Sequence, residues 1–92
     1  MTPDLFHDVN ATLIADLRAL RDGGAPWMDV VRLAAGREPV PWRVMLAMRA
    51  AFGFEGGDVS CLGGWSADGS GELSDARIEE LLARAAKRRR AL

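Results

Sequence analysis

Apolar positions recur along this chain at helical spacing, with no alternating run. Leu5, Phe6, Val9, Leu13, Ile14, Leu17 and Leu20 form one wide stripe, which predicts a helix over 4–22. Thr2 is placed to cap it, Pro3 suits its first turn, Asp4 and Asp8 favour the positive end of its dipole, and Gly23-Gly24 stops it. Trp27, Val30, Val31 and Ala34 lie at i, i+3, i+4 and i+7, predicting a second helix that opens at Pro26 and ends at Gly36. A third opens at Pro41 and ends at Gly53. The second and third are built alike: Pro-Trp opens each, Ala-Ala lies near the end and glycine follows. Nothing else aligns between them, so they share a construction and are not a repeat.

Residues 53–71 hold seven of the ten glycines, too many for a long helix. One short helical turn fits over 58–62 with Asp58 as its cap, and 66–71 reads as a loop. A last helix starts at Ser74, a good capping residue, and runs to about residue 90. Ile78, Leu81, Leu82 and Ala85 are its apolar stripe, and Glu80 and Arg84 have the favourable i, i+4 spacing. There is no tyrosine and β-branched residues are few, so no sheet is expected. The expected fold is all-α, one domain over 1–92. It is an irregular orthogonal bundle of four helices with a short fifth turn, a glycine-rich connection at 53–71 and a basic tail at 87–92.

Composition bears this out. At 92 residues, 49% hydrophobic and 27% charged, the chain is ordinary for a globular domain and too apolar for a disordered one. No apolar run reaches the length of a membrane span, and the acidic N-terminus is unlike a signal peptide. With a single cysteine, Cys61, no internal disulfide is available, and a reducing cytoplasm is the expected compartment. Eleven arginines to one lysine, with abundant alanine, suggest a GC-rich bacterial genome. The net charge is −1, but Lys87, Arg88, Arg89 and Arg90 form one run at the end. Residues 1–86 carry eight basic and thirteen acidic side chains, a net −5 that repels phosphate backbones.

Candidate chemistry is sparse. The one imidazole is His7 and the one thiol is Cys61, and no third group stands out to orient them as a nucleophile and base. One His and one Cys do not make a zinc site. Asp68-Gly69-Ser70-Gly71-Glu72 alternates oxygen ligands as a calcium loop does, but Leu73 stands where the loop needs its sixth-position glycine. The glycines match neither phosphate-binding order, and Gly63-Gly64 reads as a tight turn or a close approach beside Trp65. No catalytic residue, metal or cofactor is expected, so the expectation is a non-enzyme.

The second and third helices are a poor fit to a helix-turn-helix. Residues 36–41 read as too long a turn, with two prolines. A helix offering Trp42, Arg43, Leu46, Arg49 and Ala50 on its outer side is a poor reader of bases. Nucleic acid is therefore not the expected partner. Trp42, Leu46 and Arg49 fall at i, i+4 and i+7 opposite the core stripe, and Trp and Arg are favoured at protein interfaces. Trp65, between two glycines and a polar loop, either folds back as a plug or joins that surface. The expected partner surface is therefore Trp42, Leu46, Arg49 and Trp65, unless the third helix is simply central and buried on both sides. The expected function is a protein-binding module of accessory, regulatory or immunity type, docking on another protein or on a second copy of itself. The alternatives are a DNA-associated regulator using the third helix and the tail, and an enzyme with a Cys61 nucleophile. The tail otherwise serves the helix dipole in solvent. The weakly amphipathic last helix, without aromatic residues, argues against membrane insertion.

Overall fold

The computed structural model describes residues 11–38 and 40–91, without the side chains of residues 90 and 91. The described chain is all-α: α1 Ala11–Asp22, α2 Trp27–Arg37, α3 Pro41–Phe52, the short α4 Gly56–Val59 continued by a 3-10 stretch Ser60–Gly64, and α5 Asp75–Ala91. No strand occurs among the described residues. Thr2, Pro3 and the first seven residues of the predicted first helix, 4–10 with His7 among them, lie outside the described residues. No helix among them is long and apolar enough to cross a membrane.

The apolar stripes meet in one core. Leu13 and Leu17 of α1, Trp27, Val30, Val31 and Ala34 of α2, Val44, Ala47 and Met48 of α3, and Ile78, Leu82 and Ala85 of α5 are all buried. α3 packs against α1, α2, α4 and the 3-10 stretch, and is the central helix. Arg18 of α1 reinforces the α1–α3 contact: its Nε donates to the Ala51 carbonyl at 2.8 Å and its Nη2 to the Ala50 carbonyl at 3.1 Å. Those carbonyls lie in the last turn of α3, where a cation complements the dipole.

Two helix ends follow the sequence and two differ. Gly53 takes the left-handed conformation (φ 72°) and returns its N–H to the Arg49 carbonyl, as a glycine C-cap does. The Ser74 hydroxyl accepts the Arg77 N–H and caps α5. Gly36, in contrast, lies within α2, which runs on to Arg37. Glu38 ends that helix in an extended conformation (φ −121°, ψ 94°), as befits a residue that precedes proline. Asp58 is not the first cap of its helix. It is the third residue of a reciprocal capping box: Glu55 holds the N-cap position, and the Glu55 N–H donates to the Asp58 carboxylate at 2.9 Å.

Between the 3-10 stretch and α5 the chain folds back on itself. The Leu73 N–H donates to the Gly64 carbonyl at 2.8 Å. A Cβ at Gly71 would stand 2.6 Å from the Gly64 oxygen and 2.7 Å from the Ser66 nitrogen, so only glycine admits this approach.

α2 begins at Pro26, which provides no side-chain cap. Its cap comes instead from α5. The Glu79 carboxylate accepts the Trp27 N–H at 3.0 Å and the Met28 N–H at 2.9 Å. These are two of the first-turn donors a helix leaves without an internal acceptor, and a carboxylate there also meets the positive end of the dipole.

Two expected outcomes follow. Glu79→Ala lowers the unfolding free energy by about 1–3 kcal/mol in urea titration, while Glu79→Gln, which keeps one acceptor, loses less. The second concerns Asp58, whose carboxyl lies below its ordinary value of 3.8 because it accepts the Glu55 N–H and faces Arg88 and Arg89. A depressed folded value adds stability that is present above the unfolded value and lost as pH falls through the folded one. The stability difference between wild type and Asp58→Asn is therefore constant at neutral pH and shrinks as pH falls below about 4.

Candidate functional site

The three tryptophans occupy three different environments. Trp65 is 7% exposed, so it is folded back as a plug and takes no part in an open aromatic face. Its indole N–H donates to the Asp75 carboxylate at 2.7 Å. Arg32 lies over the Trp65 ring at 5.6 Å from its centroid and also pairs with Asp75. The indole hydrogen bond first, and the Arg32 guanidinium second, hold the Asp75 carboxyl below its usual range. Trp27 is 3% exposed and makes an edge-to-face contact with Phe52 at 5.0 Å and a tilted one with Phe54 at 5.4 Å.

Trp42 stands apart at 53% exposed, with Val40 at 41%, as the exposed large hydrophobic residues among those described. The Arg43 guanidinium lies 5.4 Å from the Trp42 ring centroid and pairs with Glu38 at 2.6 Å. Pro41 is one wall of an adjoining groove of about 390 Å³. Ala35, Val44, Leu62, Ala67 and Trp65 complete its apolar lining, and Asp68 and Ser66 give it a polar rim. The structure thus brings the start of α3 and Trp65 to one groove.

Leu46 and Arg49 do not share the exposure of Trp42. Leu46 is half-buried against the core. Arg49 is half-buried where α3 meets α1, beside Ala11, Ile14 and Ala15. The predicted Trp42–Leu46–Arg49 face therefore divides: its first turn is open, and α1 packs along the remainder. Val40 was missed because it precedes the helix and belongs to no periodic stripe.

The basic tail is not a free electrostatic handle along its whole length. Arg88 pairs with Asp58 at 3.1 Å, and Arg89 pairs with Glu55 at 3.3 Å and Asp58 at 3.2 Å. Lys87 is exposed, and the Arg90 side chain lies outside those described. The connection between α2 and α3 is residues 38–40, since α2 runs to Arg37. Its length fits a helix-turn-helix after all. The groups at the open end of α3 do not: Val40 and Trp42 are apolar, and Arg43 is engaged by Glu38.

Cys61 is half-buried, and burial pushes its thiol above the ordinary value. Its sulfur approaches the Asp58 carbonyl at 3.9 Å, and the two guanidinium groups that line the same pocket are engaged elsewhere, Arg84 by Glu80 and Arg88 by Asp58. Asp68 accepts the Ser70 N–H at 2.9 Å and the Ser70 hydroxyl at 2.7 Å, closing the loop on itself with Gly69 at φ 84°. Among the described residues no group of three or more His, Cys, Asp or Glu side chains could hold a metal ion.

No family model matches the chain, and neither a curated protein nor a solved structure matches it.

The thiol environment has a measurable consequence. Iodoacetamide labels Cys61 in the folded protein several-fold more slowly at pH 8 than in urea, because less of it is thiolate and half of it is covered. Folded-state labelling as fast as in urea would identify an activated, open thiol.

Proposed function

We propose that this chain is a non-catalytic protein-binding module that docks through the N-terminal end of α3. The observation that carries the reading is the exposure of Trp42, at 53%, beside Val40 in a fold that buries its other tryptophans. An exposed Trp costs little conformational entropy when it is fixed on binding, and it gives a large apolar contact. At the same end of α3, Pro41 and Val44 line a groove with Ala35, Leu62, Ala67 and Trp65 that can receive an apolar side chain of the partner. Arg43 over the Trp42 ring and Asp68 at the groove rim give the surface the polar border usual at interfaces. Leu46 and Arg49 are half-buried and leave most of the contact to Trp42. The half-buried Cys61 and the self-closed Asp68 turn add no reactive group to this surface.

The partner is another protein or a second copy of this chain, and one experiment separates the two. A photo-crosslinking amino acid is introduced at position 40, which leaves Trp42 in place, and, as a control, at position 84 on the exposed side of α5. The expected result is a defined protein adduct from position 40 and none from position 84. A second copy gives a product at twice the 10.0 kDa of the chain. The purified partner then binds Trp42→Ala at least about tenfold more weakly, while the stability of that variant stays within about 0.5 kcal/mol of wild type. No adduct from position 40, or equal affinity for Trp42→Ala, overturns the reading.

A further inference from the structure

At the opposite end of α3 lies a second cleft, of about 380 Å³, where the ends of α1 and α3 meet the start of α2. Phe52 is ten residues beyond Trp42, roughly 15 Å along the helix axis, so this cleft is separate from the docking surface. Its floor is aromatic: Trp27, Phe52 and Phe54 line it, and the three rings contact one another at centroid distances of 5.0 to 6.0 Å. Its rim is basic, because Arg18, Arg21 and Arg89 line the same space, against one carboxylate, Asp22.

Two features make this more than a dent in the surface. The first is charge. Arg89 is neutralised by Glu55 and Asp58. Arg18 donates only to the Ala50 and Ala51 carbonyls and Arg21 only to the Ala25 carbonyl, so neither pairs with a carboxylate among the described residues. Two uncompensated guanidinium groups therefore border an aromatic cleft on a body whose charge is otherwise acidic. The second is where one of those cations sits. The Arg21 guanidinium lies 4.4 Å from the centroid of the Trp27 ring, against the aromatic floor. Trp27 lines the cleft with its ring, while its indole nitrogen, which has no acceptor among the described residues, is itself covered.

We propose that this cleft binds a small organic anion carrying a planar aromatic group, of the aryl carboxylate class. Its ring packs against Phe52 and the edges of Trp27 and Phe54 that line the cleft, and its carboxylate pairs with Arg18 and Arg21. The volume suits such a ligand, since small-molecule sites begin at roughly 300 Å³. Planar guanidinium groups match a carboxylate in geometry as well as charge. Asp22 at the rim disfavours ligands of higher negative charge.

The test uses 1-naphthoate as the ligand and 1-naphthalenemethanol as its uncharged analogue, followed through the three indole N–H signals in 15N NMR spectra. The expected result is a saturable shift of the Trp27 signal with 1-naphthoate, larger than those of Trp42 and Trp65. Affinity falls at least about tenfold for the uncharged analogue and for Arg21→Gln. If Arg21→Gln does not fold, the comparison of the two ligands on the wild-type protein decides. No saturable Trp27 shift at millimolar 1-naphthoate, equal binding of the uncharged analogue, or a response centred on Trp42 overturns the proposal.

Discussion

The fold depends on one carboxylate that serves a helix it does not belong to. Glu79 of α5 accepts the N–H groups of Trp27 and Met28, at the start of α2. Pro26 cannot cap that helix, and the residues whose donors need an acceptor are themselves buried. Without Glu79, α2 would carry unsatisfied donors into the core beside its largest aromatic residue, a burial that is destabilising by roughly 1–3 kcal/mol per group. The same contact fixes where α5 lies. One turn earlier, Asp75 meets Arg32 and Trp65; about three turns later, Arg88 and Arg89 meet Asp58 and Glu55. α5 is thus clamped at its start, at Glu79 and near its end, with Ile78, Leu82 and Ala85 buried between the clamps.

This explains what the sequence discloses and what it withholds. Periodicity identifies which side of each helix is apolar, so the stripes of α2 and α5 and the absence of strands among the described residues were legible. So were local signals complete within a few residues, such as Gly53 as a C-cap and Ser74 as an N-cap. The Glu79 cap spans 51 residues to Met28 and leaves no local trace: a glutamate on a charged helix looks like any solvated one. The ion pairs of Arg88 and Arg89 are equally nonlocal, which is why a basic run reads as a tail in solvent. Gly36 misled because glycine also stops helices, while proline at position 39 decided the matter two residues later through Glu38. Trp65 was undetermined because its partner, Asp75, lies across a loop that only Gly71 allows to close.

Placement of the aromatic residues links the fold to the two proposed surfaces. α3 is central, and its flanks are taken by α1, α2, α4 and the 3-10 stretch, so only its ends remain for other work. One end presents Trp42 and Val40 beside an apolar groove. The other presents Phe52 and Trp27 beneath the guanidinium groups of Arg18 and Arg21. Composition could name the three tryptophans, but only the packing around α3 separates the one that faces outward from the one that keeps an unused donor and the one locked by Asp75.

Hydrogen exchange at the Trp27 and Met28 backbone amides is the most direct measurement of the Glu79 clamp. First-turn amides have no acceptor within their own helix and ordinarily exchange fast. The account predicts that both are protected about as strongly as the core of α2 in the wild-type protein, and that this excess protection disappears in Glu79→Ala. Fast exchange of both amides in the folded wild-type protein would contradict it.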